Sequence, residues 1–316
     1  MIKVQFTHVK GVALVSVLLM LAIMVTLISY MVESQYLTIR QTNLQQIDEL
    51  SLFANSQAEL WGKNKLIKAD QEAYVADHEG EAWASETFII EDEFGQSATL
   101  SDLHSRFNIN NLTGQQQDRW RAIFENLLTE LDIDNAVALT IIDWVDQDQS
   151  IASIDGAEDA YYESLNPPHL AGNQPLAAIE ELLLIKGISD TIYDTLLPHV
   201  SALDADDVKI NINTASVALL NAIRGKSQNG VSSFTADQLI SARATQPFFS
   251  IEEVLENDFF AGVENLNDII AVKSEYFEME SSVEFESNKK KFRTGFKREV
   301  DEASTTISVV YRKRVL

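Results

Sequence analysis

The longest hydrophobic pattern in the chain comes first. From Gly11 to Val32, in KGVALVSVLLMLAIMVTLISYMV, no Asp, Glu, Lys or Arg interrupts the apolar residues. At about 1.5 Å per residue, roughly twenty such residues cross the ~30 Å hydrocarbon core of a bilayer, so the pattern predicts a membrane span. Lys3 and Lys10 precede it, which predicts a cytoplasmic N-terminus and export of everything beyond Val32. Behind the span, Tyr36, Leu37, Leu44, Ile47, Leu50, Leu52, Phe53, Ala54 and Leu60 recur at intervals of three and four. Span and amphipathic extension therefore read as one helix over residues 12–65.

The period then changes. Phe88, Ile89 and Ile90, a polar turn at Glu93 to Gly95 and a second run predict two strands. From Gly114 helical spacing returns, with Trp120, Ile123, Phe124, Leu127, Leu128 and Leu131 on one face. Short helices are expected over Ala136–Val145, Leu176–Ile185, 190–197, Ala215–Ile223, 237–244 and Ile251–Glu256, several led by Ser, Thr or Asp at the capping position. From Glu275 alternation resumes in EYFEMESSVEFES, KFRTGFKREV and STTISVVYRKRV. Turns at Ser287 to Lys290 and Asp301 to Ala303 make these an antiparallel meander. The fold class is α+β: a long helix and an antiparallel sheet, the sheet interrupted by a large all-helical domain at 114–273.

Charge and composition narrow the chemistry. The 316 residues carry 48 acidic and 24 basic side chains, a net charge of -24, and no cysteine. Broad phosphate-driven affinity for nucleic acid needs clustered Lys and Arg and is not expected. Without cysteine there are no disulfides, thiolate nucleophiles or Cys-held zinc, and hard cations become the staple to look for. The five histidines, His8, His78, His104, His169 and His199, show no ligand or triad spacing, and no glycine-rich phosphate loop occurs, so no enzyme is expected.

One stretch concentrates ligand chemistry. In IIDWVDQDQSIASIDGAEDAYYESLNPP, Asp143, Asp146, Asp148, Asp155, Glu158 and Asp159 are six carboxylates within 17 residues, with Gly156 allowing a sharp turn. Calcium takes six to eight oxygens in flexible geometry, and such a cluster repels itself unless a cation or solvent neutralises it. The spacing is not that of an EF-hand, and a solvated acidic loop is the competing reading. The Lys and Arg cluster from Lys289 to Arg298 with Arg312 to Arg314 reads either as a solvated sheet edge or as a contact for an acidic neighbour.

Two resemblances follow from these residues. A short basic leader, a glycine, then an apolar helix running into an amphipathic one resembles the type IV prepilin signal, which prepilin peptidase cuts after the glycine, here between Gly11 and Val12. Counted from Val12, the fifth residue is Ser16, where that family normally carries glutamate. This departure, with DWVDQD and GAEDAYY, resembles the minor pseudopilin K family of type II secretion along nearly the whole chain. The resemblance implies a leader at 1–11, a pilin-like domain split into 66–113 and 274–316, and an insert between the two parts. It also implies a non-enzymatic subunit at the tip of the periplasmic pseudopilus beside the I and J minor pseudopilins, supporting export across the outer membrane. Such a subunit is a single-pass bacterial inner-membrane protein with most of its chain in the periplasm. It meets prepilin peptidase and the inner-membrane assembly platform, and holds structural calcium in its exported part.

The second resemblance competes with the first. Lys186-Gly187-Ile188 and the runs ININTASVALLNAI and QPFFSIEEVLE look like helix-hairpin-helix modules, which occur on membrane-anchored DNA receptors. Ser189 replaces the second glycine of that hairpin, however, and Asp190, Asp194, Asp204, Asp206 and Asp207 surround it with like charge.

Overall fold

A computed structural model describes residues 10–71, 76–91, 95–225, 235–285, 288–301 and 304–315. Lys3, His8 and parts of the three expected turns, Glu93 and Phe94, Ser287, and Glu302 and Ala303, lie outside the described residues. Helix α1 spans Lys10–Gln71, longer than the expected 12–65 at both ends. It is long and apolar enough to cross a membrane, with a window of mean hydropathy 2.5, and its residues from Leu14 to Val32 are exposed. Gly11, Val12 and Ser16 all fall within its first turns.

After the short helix α2 (Ala82–Ser85) come strands β1 (Phe88–Glu91) and β2 (Gly95–Asp102). The insert contributes β3 (Phe107–Asn108), helices α3 (Gln117–Glu130), α4 (Ala136–Val145), α5 (Asp159–Tyr162) and α6 (Asp190–Leu196), and strands β4 (Val200–Ser201) and β5 (Ile210–Asn211). Helices α7 (Val217–Arg224), α8 (Ala236–Thr245) and α9 (Ile251–Leu255) and strand β6 (Ile270–Ala271) complete it. The chain ends in β7 (Tyr276–Phe285), β8 (Asn288–Val300) and β9 (Thr305–Val315). One five-stranded antiparallel sheet in the order β1-β2-β7-β8-β9 unites the strands before and after the insert.

Register shows how the sheet meets α1. Leu100 sits opposite Met279, which faces Thr294, which faces Arg312, and the inward row packs on the second half of the helix. The buried helix face is made of small residues one turn apart, Ala54, Ala58 and Gly62, followed by Leu66 and Ala69. A Cβ at Gly62 would lie 3.3 Å from the Phe296 ring, so glycine there admits the sheet closely. The apolar residues of the extension do not share one side: Ala54 is buried against the sheet, whereas Leu52, Phe53 and Leu60 are 57%, 64% and 62% exposed. The reason is steric, since large side chains between helix and sheet would hold the two backbones apart. A polar clasp fixes the helix position along the sheet. Arg312 donates to both Glu59 oxygens at 2.7 and 2.8 Å, Asn55 donates to Glu59 at 3.0 Å, and Ser281 donates to Asn55 at 2.6 Å.

The insert has its own core, centred on Phe107, Trp120, Phe124, Leu127, Ile141, Trp144, Leu219 and Phe259. Phe107, Ile109 and Leu112 belong to it, so the insert begins near residue 105 rather than at 114. It is not wholly helical either. Two parallel two-residue pairs, β3 with β4 and β5 with β6, bridge it, and the expected helix Leu176–Ile185 is a 3-10 turn at Ile179–Leu184. There Glu181 turns back to accept from both Ala177 N and Ala178 N at 2.9 Å, which tightens the segment. Where insert and sheet join, Asp102 accepts from Thr214, Ser274 and Asn211 at 2.6, 2.7 and 3.0 Å, and Asp77 pairs with Arg298. Burial pushes the Asp77 carboxyl up, and the Arg298 guanidinium opposes that rise.

The basic cluster is engaged within the chain. Lys290 and Arg314 pair with Asp48 on α1, Arg293 with Glu280, and Lys313 with Glu180 of the insert. Lys289 and Lys291 stay exposed, so only part of the cluster is taken up internally.

Candidate metal centre

Helix α4 carries Asp143 in its last turn and Asp146 at its C-cap, and Glu158 is the N-cap of α5. The intervening loop folds back so that one oxygen from each of Asp143, Asp146 and Glu158 lies within 4.8 Å of the others. Asp143 makes the fold-back. Its Oδ1 accepts from Ala152 N and its Oδ2 from Ala157 N, both at 2.8 Å, so one fully buried carboxylate holds both arms of the loop. Gly156 is required at the crossing, because a Cβ there would lie 2.0 Å from Asp143 Oδ2. Below the loop, Trp144 packs edge-on against Tyr162 at 4.9 Å between centroids, and burial pushes the Tyr162 hydroxyl up to about 12.

Electrostatics single out Glu158. It is 4% exposed, and neither of its oxygens has a hydrogen-bond partner; Asp146 Oδ1 also lacks one. Burial, then the charges of Asp146, Asp143, Asp148 and Asp159, raise the Glu158 carboxyl to about 7. Burial, then Asp148 and Asp143, also push Asp146 up. For Asp143 burial again raises the carboxyl, and the two backbone N–H donors work against it. A buried carboxylate with no donor, facing two others, is expensive unless it binds a proton or a cation. The oxygen-only donor set, with one carboxylate already oriented by backbone bonds, suits a hard divalent ion that fills its remaining positions with water or carbonyls.

The six residues singled out in the sequence divide evenly. Asp143, Asp146 and Glu158 converge. Asp148 stays at the exposed rim, accepting from Ser150 N at 2.7 Å, close enough for its charge to act on the other three. Asp155 is exposed. Asp159 is a structural pin that accepts from Ala171 N at 2.9 Å and Asn173 Nδ2 at 3.4 Å. Sequence reasoning missed Lys186, whose Nζ donates to Gly156 O at 3.1 Å from 30 residues away. In the sequence it stands only as part of a hairpin, and no local spacing joins it to the acidic loop.

A long apolar helix laid on an antiparallel sheet, with a helical domain inserted between strands and an acidic loop within that domain, defines a pilin-like protein of elaborated type. Two family models, both described as type II secretion system (T2SS), protein K, match residues 105–205 and 210–273 respectively. The chain is 30% identical over 290 residues to type II secretion system protein K of Aeromonas hydrophila, spanning 85% of this chain and 86% of that one. It is also 30% identical over 287 residues to the Pseudomonas aeruginosa protein of that name, spanning 87% and 84%. Among solved structures it resembles a chain in the crystal structure of the GspK-GspI-GspJ complex from the enterotoxigenic Escherichia coli type 2 secretion system. The TM-score is 0.71 at 22% identity, over 87% of this chain and 99% of that one. The chain belongs to the type II secretion system protein K family.

Proposed function

We infer that this protein is a non-enzymatic minor pseudopilin that sits once at the tip of a periplasmic pseudopilus, anchored in the bacterial inner membrane by α1. The observation that carries this is the division of α1 into two faces. Its small-residue face is used up by the sheet, while Tyr36, Leu37, Leu44, Leu52, Phe53 and Leu60 leave an apolar stripe exposed in continuity with the span. Exposed apolar stripes of that length mark association surfaces, and the neighbours that fit are the equivalent helices of the I and J minor pseudopilins. Assembly with I and J is what the GspK-GspI-GspJ complex is named for in the structurally similar protein.

Position at the tip rests on Ser16 and on the insert. In pilin-like filaments the fifth-residue glutamate is thought to receive the amine of a neighbour in apolar surroundings, and Ser16 has no carboxylate to offer. An insert spanning about 105–273 would crowd the next turn of a narrow filament if every subunit bore it. Both features suit one copy at an end. The same reading has prepilin peptidase cleaving between Gly11 and Val12 and the assembly platform receiving the subunit, and it makes the acidic centre a structural calcium site.

The rival DNA-receptor reading has little support. Asp190, Asp194, Asp204 and Asp206 are exposed around the hairpin, and Lys186, the cation a phosphate would need, is turned onto the acidic loop.

Copurification from membranes should give a stoichiometric complex with the I and J subunits. Mass spectrometry should find Val12 at the mature N-terminus, and loss of the protein should impair secretion. Labelled copies at regular intervals along a filament would overturn the tip position.

A further inference from the structure

The Lys186-Gly187 hairpin has no role in the reading above, yet it touches the metal loop three times. Lys186 Nζ donates to Gly156 O at 3.1 Å and stands 4.9 Å from the centroid of the Tyr161 ring, and Lys186 N donates to Tyr162 Oη at 3.3 Å. Gly156 is itself pressed against Asp143 Oδ2. Gly187 makes this approach possible with φ +85°, a left-handed conformation that turns the chain directly after the lysine. One ammonium is therefore held a single residue behind the carboxylate cluster. Asp143, Asp146 and Glu158 together carry three negative charges when ionised, and Lys186 offsets one. Asp148 at the rim and Asp159 add further negative field at the cluster, so the ammonium tempers its charge without neutralising it.

We propose that Lys186 is the charge-setting residue of this centre, its ammonium favouring a divalent cation over a trivalent one. This rests on the metal reading above and adds to it a determinant of ion charge that is not itself a ligand. A purely mechanical role for Lys186, clamping the loop through Gly156, would affect every bound ion alike. A role as fixed charge scales with the charge of the ion. A neighbouring unit charge in a half-solvated site alters cation binding by about threefold per elementary charge of the cation. Neutralising Lys186 should therefore strengthen calcium binding by about tenfold and terbium(III) binding by about thirtyfold, less a common loss from any loosening of the loop. The ratio of the two affinities cancels that loss.

The test is calorimetric titration of calcium and of terbium(III) into the full-length protein in detergent, as wild type, Lys186→Gln, Lys186→Met and Lys186→Arg. Glutamine keeps a donor for Gly156, methionine keeps the length, and arginine keeps the charge. The terbium-to-calcium affinity ratio should rise about threefold in the Gln and Met variants and stay at the wild-type value in Arg. Either neutral variant that folds suffices to decide. An unchanged ratio with both ions bound would overturn the charge-setting role and leave the metal site standing. Failure of the wild-type protein to bind either ion would overturn both.

Discussion

The sheet-and-helix unit and the insert are stabilised in different ways within one chain. The first is built from long regular elements: a 62-residue helix and strands of 10, 13 and 11 residues in the meander. Its strands pair with sequence neighbours, apart from β2 with β7 across the insert, and pack along one helix face. The insert is built from helices of 4 to 14 residues and 3-10 turns around a large apolar core, with a loop closed by one buried aspartate. Short helices are marginal alone, so its order comes from packing, caps and, in our reading, a cation. The two units meet at the hydrogen-bonded network of Asp77, Asp102, Asn211, Ser274 and Arg298, beside a small apolar cluster of Leu103, Leu203, Val208 and Tyr276. A pilin-like platform thus carries a domain of more conditional stability.

Four experiments would break or sharpen that contrast. The largest effect is expected from Phe124→Ala in the insert core, at about 3–5 kcal/mol. Hydrogen exchange should then quicken in α3 and α4 well before β7 and β8, and an equal loss of protection in both units would abolish the distinction.

Calcium comes next. At about 100 times its dissociation constant it should stabilise the protein by about 2.7 kcal/mol, reversed by a chelator and confined to the insert. Without metal, Glu158 retains a proton up to about 7 in the folded state, against an ordinary 4.5. The folded state then binds more protons than the unfolded one, so metal-free stability should fall as pH rises from about 4.5 to about 7. Calcium should flatten that fall. Glu158→Gln should lessen the pH slope, leaving the part owed to the raised Asp146 and Asp143, and should remove most of the calcium gain while raising metal-free stability at neutral pH. Loss of stability in that variant without metal would count against an unpaired carboxylate.

Glu59→Gln should cost about 1–3 kcal/mol by weakening the clasp to Arg312 and Asn55. This loss belongs to the sheet unit, and thermal melts should show it to be indifferent to chelator. Smallest is Ser216→Ala, which removes the cap that accepts from Leu219 N and should cost about 1 kcal/mol, in the insert alone.

Legibility in the sequence follows the same division. The meander, α3 and α4 were readable because side-chain period reports the local backbone directly. The segment FNINN was not. It reads as the end of the sheet, but Asn108, Asn110 and Asn111 turn inward and bond the backbone of Leu176, Leu203, Ala205 and Val208, most of it some ninety residues on. In α1 the period was legible and the facing was not, because hydrophobicity marks a face for burial without saying whether the sheet or a neighbouring subunit buries it.

Sequence alone determined the membrane-length helix, the α+β class, the place of the insert between strands and the acid-rich loop, since each depends on the order of residues along a short stretch. Only the tertiary structure decided which three of six carboxylates converge, that Gly156 must be glycine, and that Lys186 stands behind them. Those depend on how the loop closes on Asp143 and on where a hairpin 30 residues away comes to rest. Charge repulsion and burial act through space, and a linear pattern carries no distances between elements it does not connect.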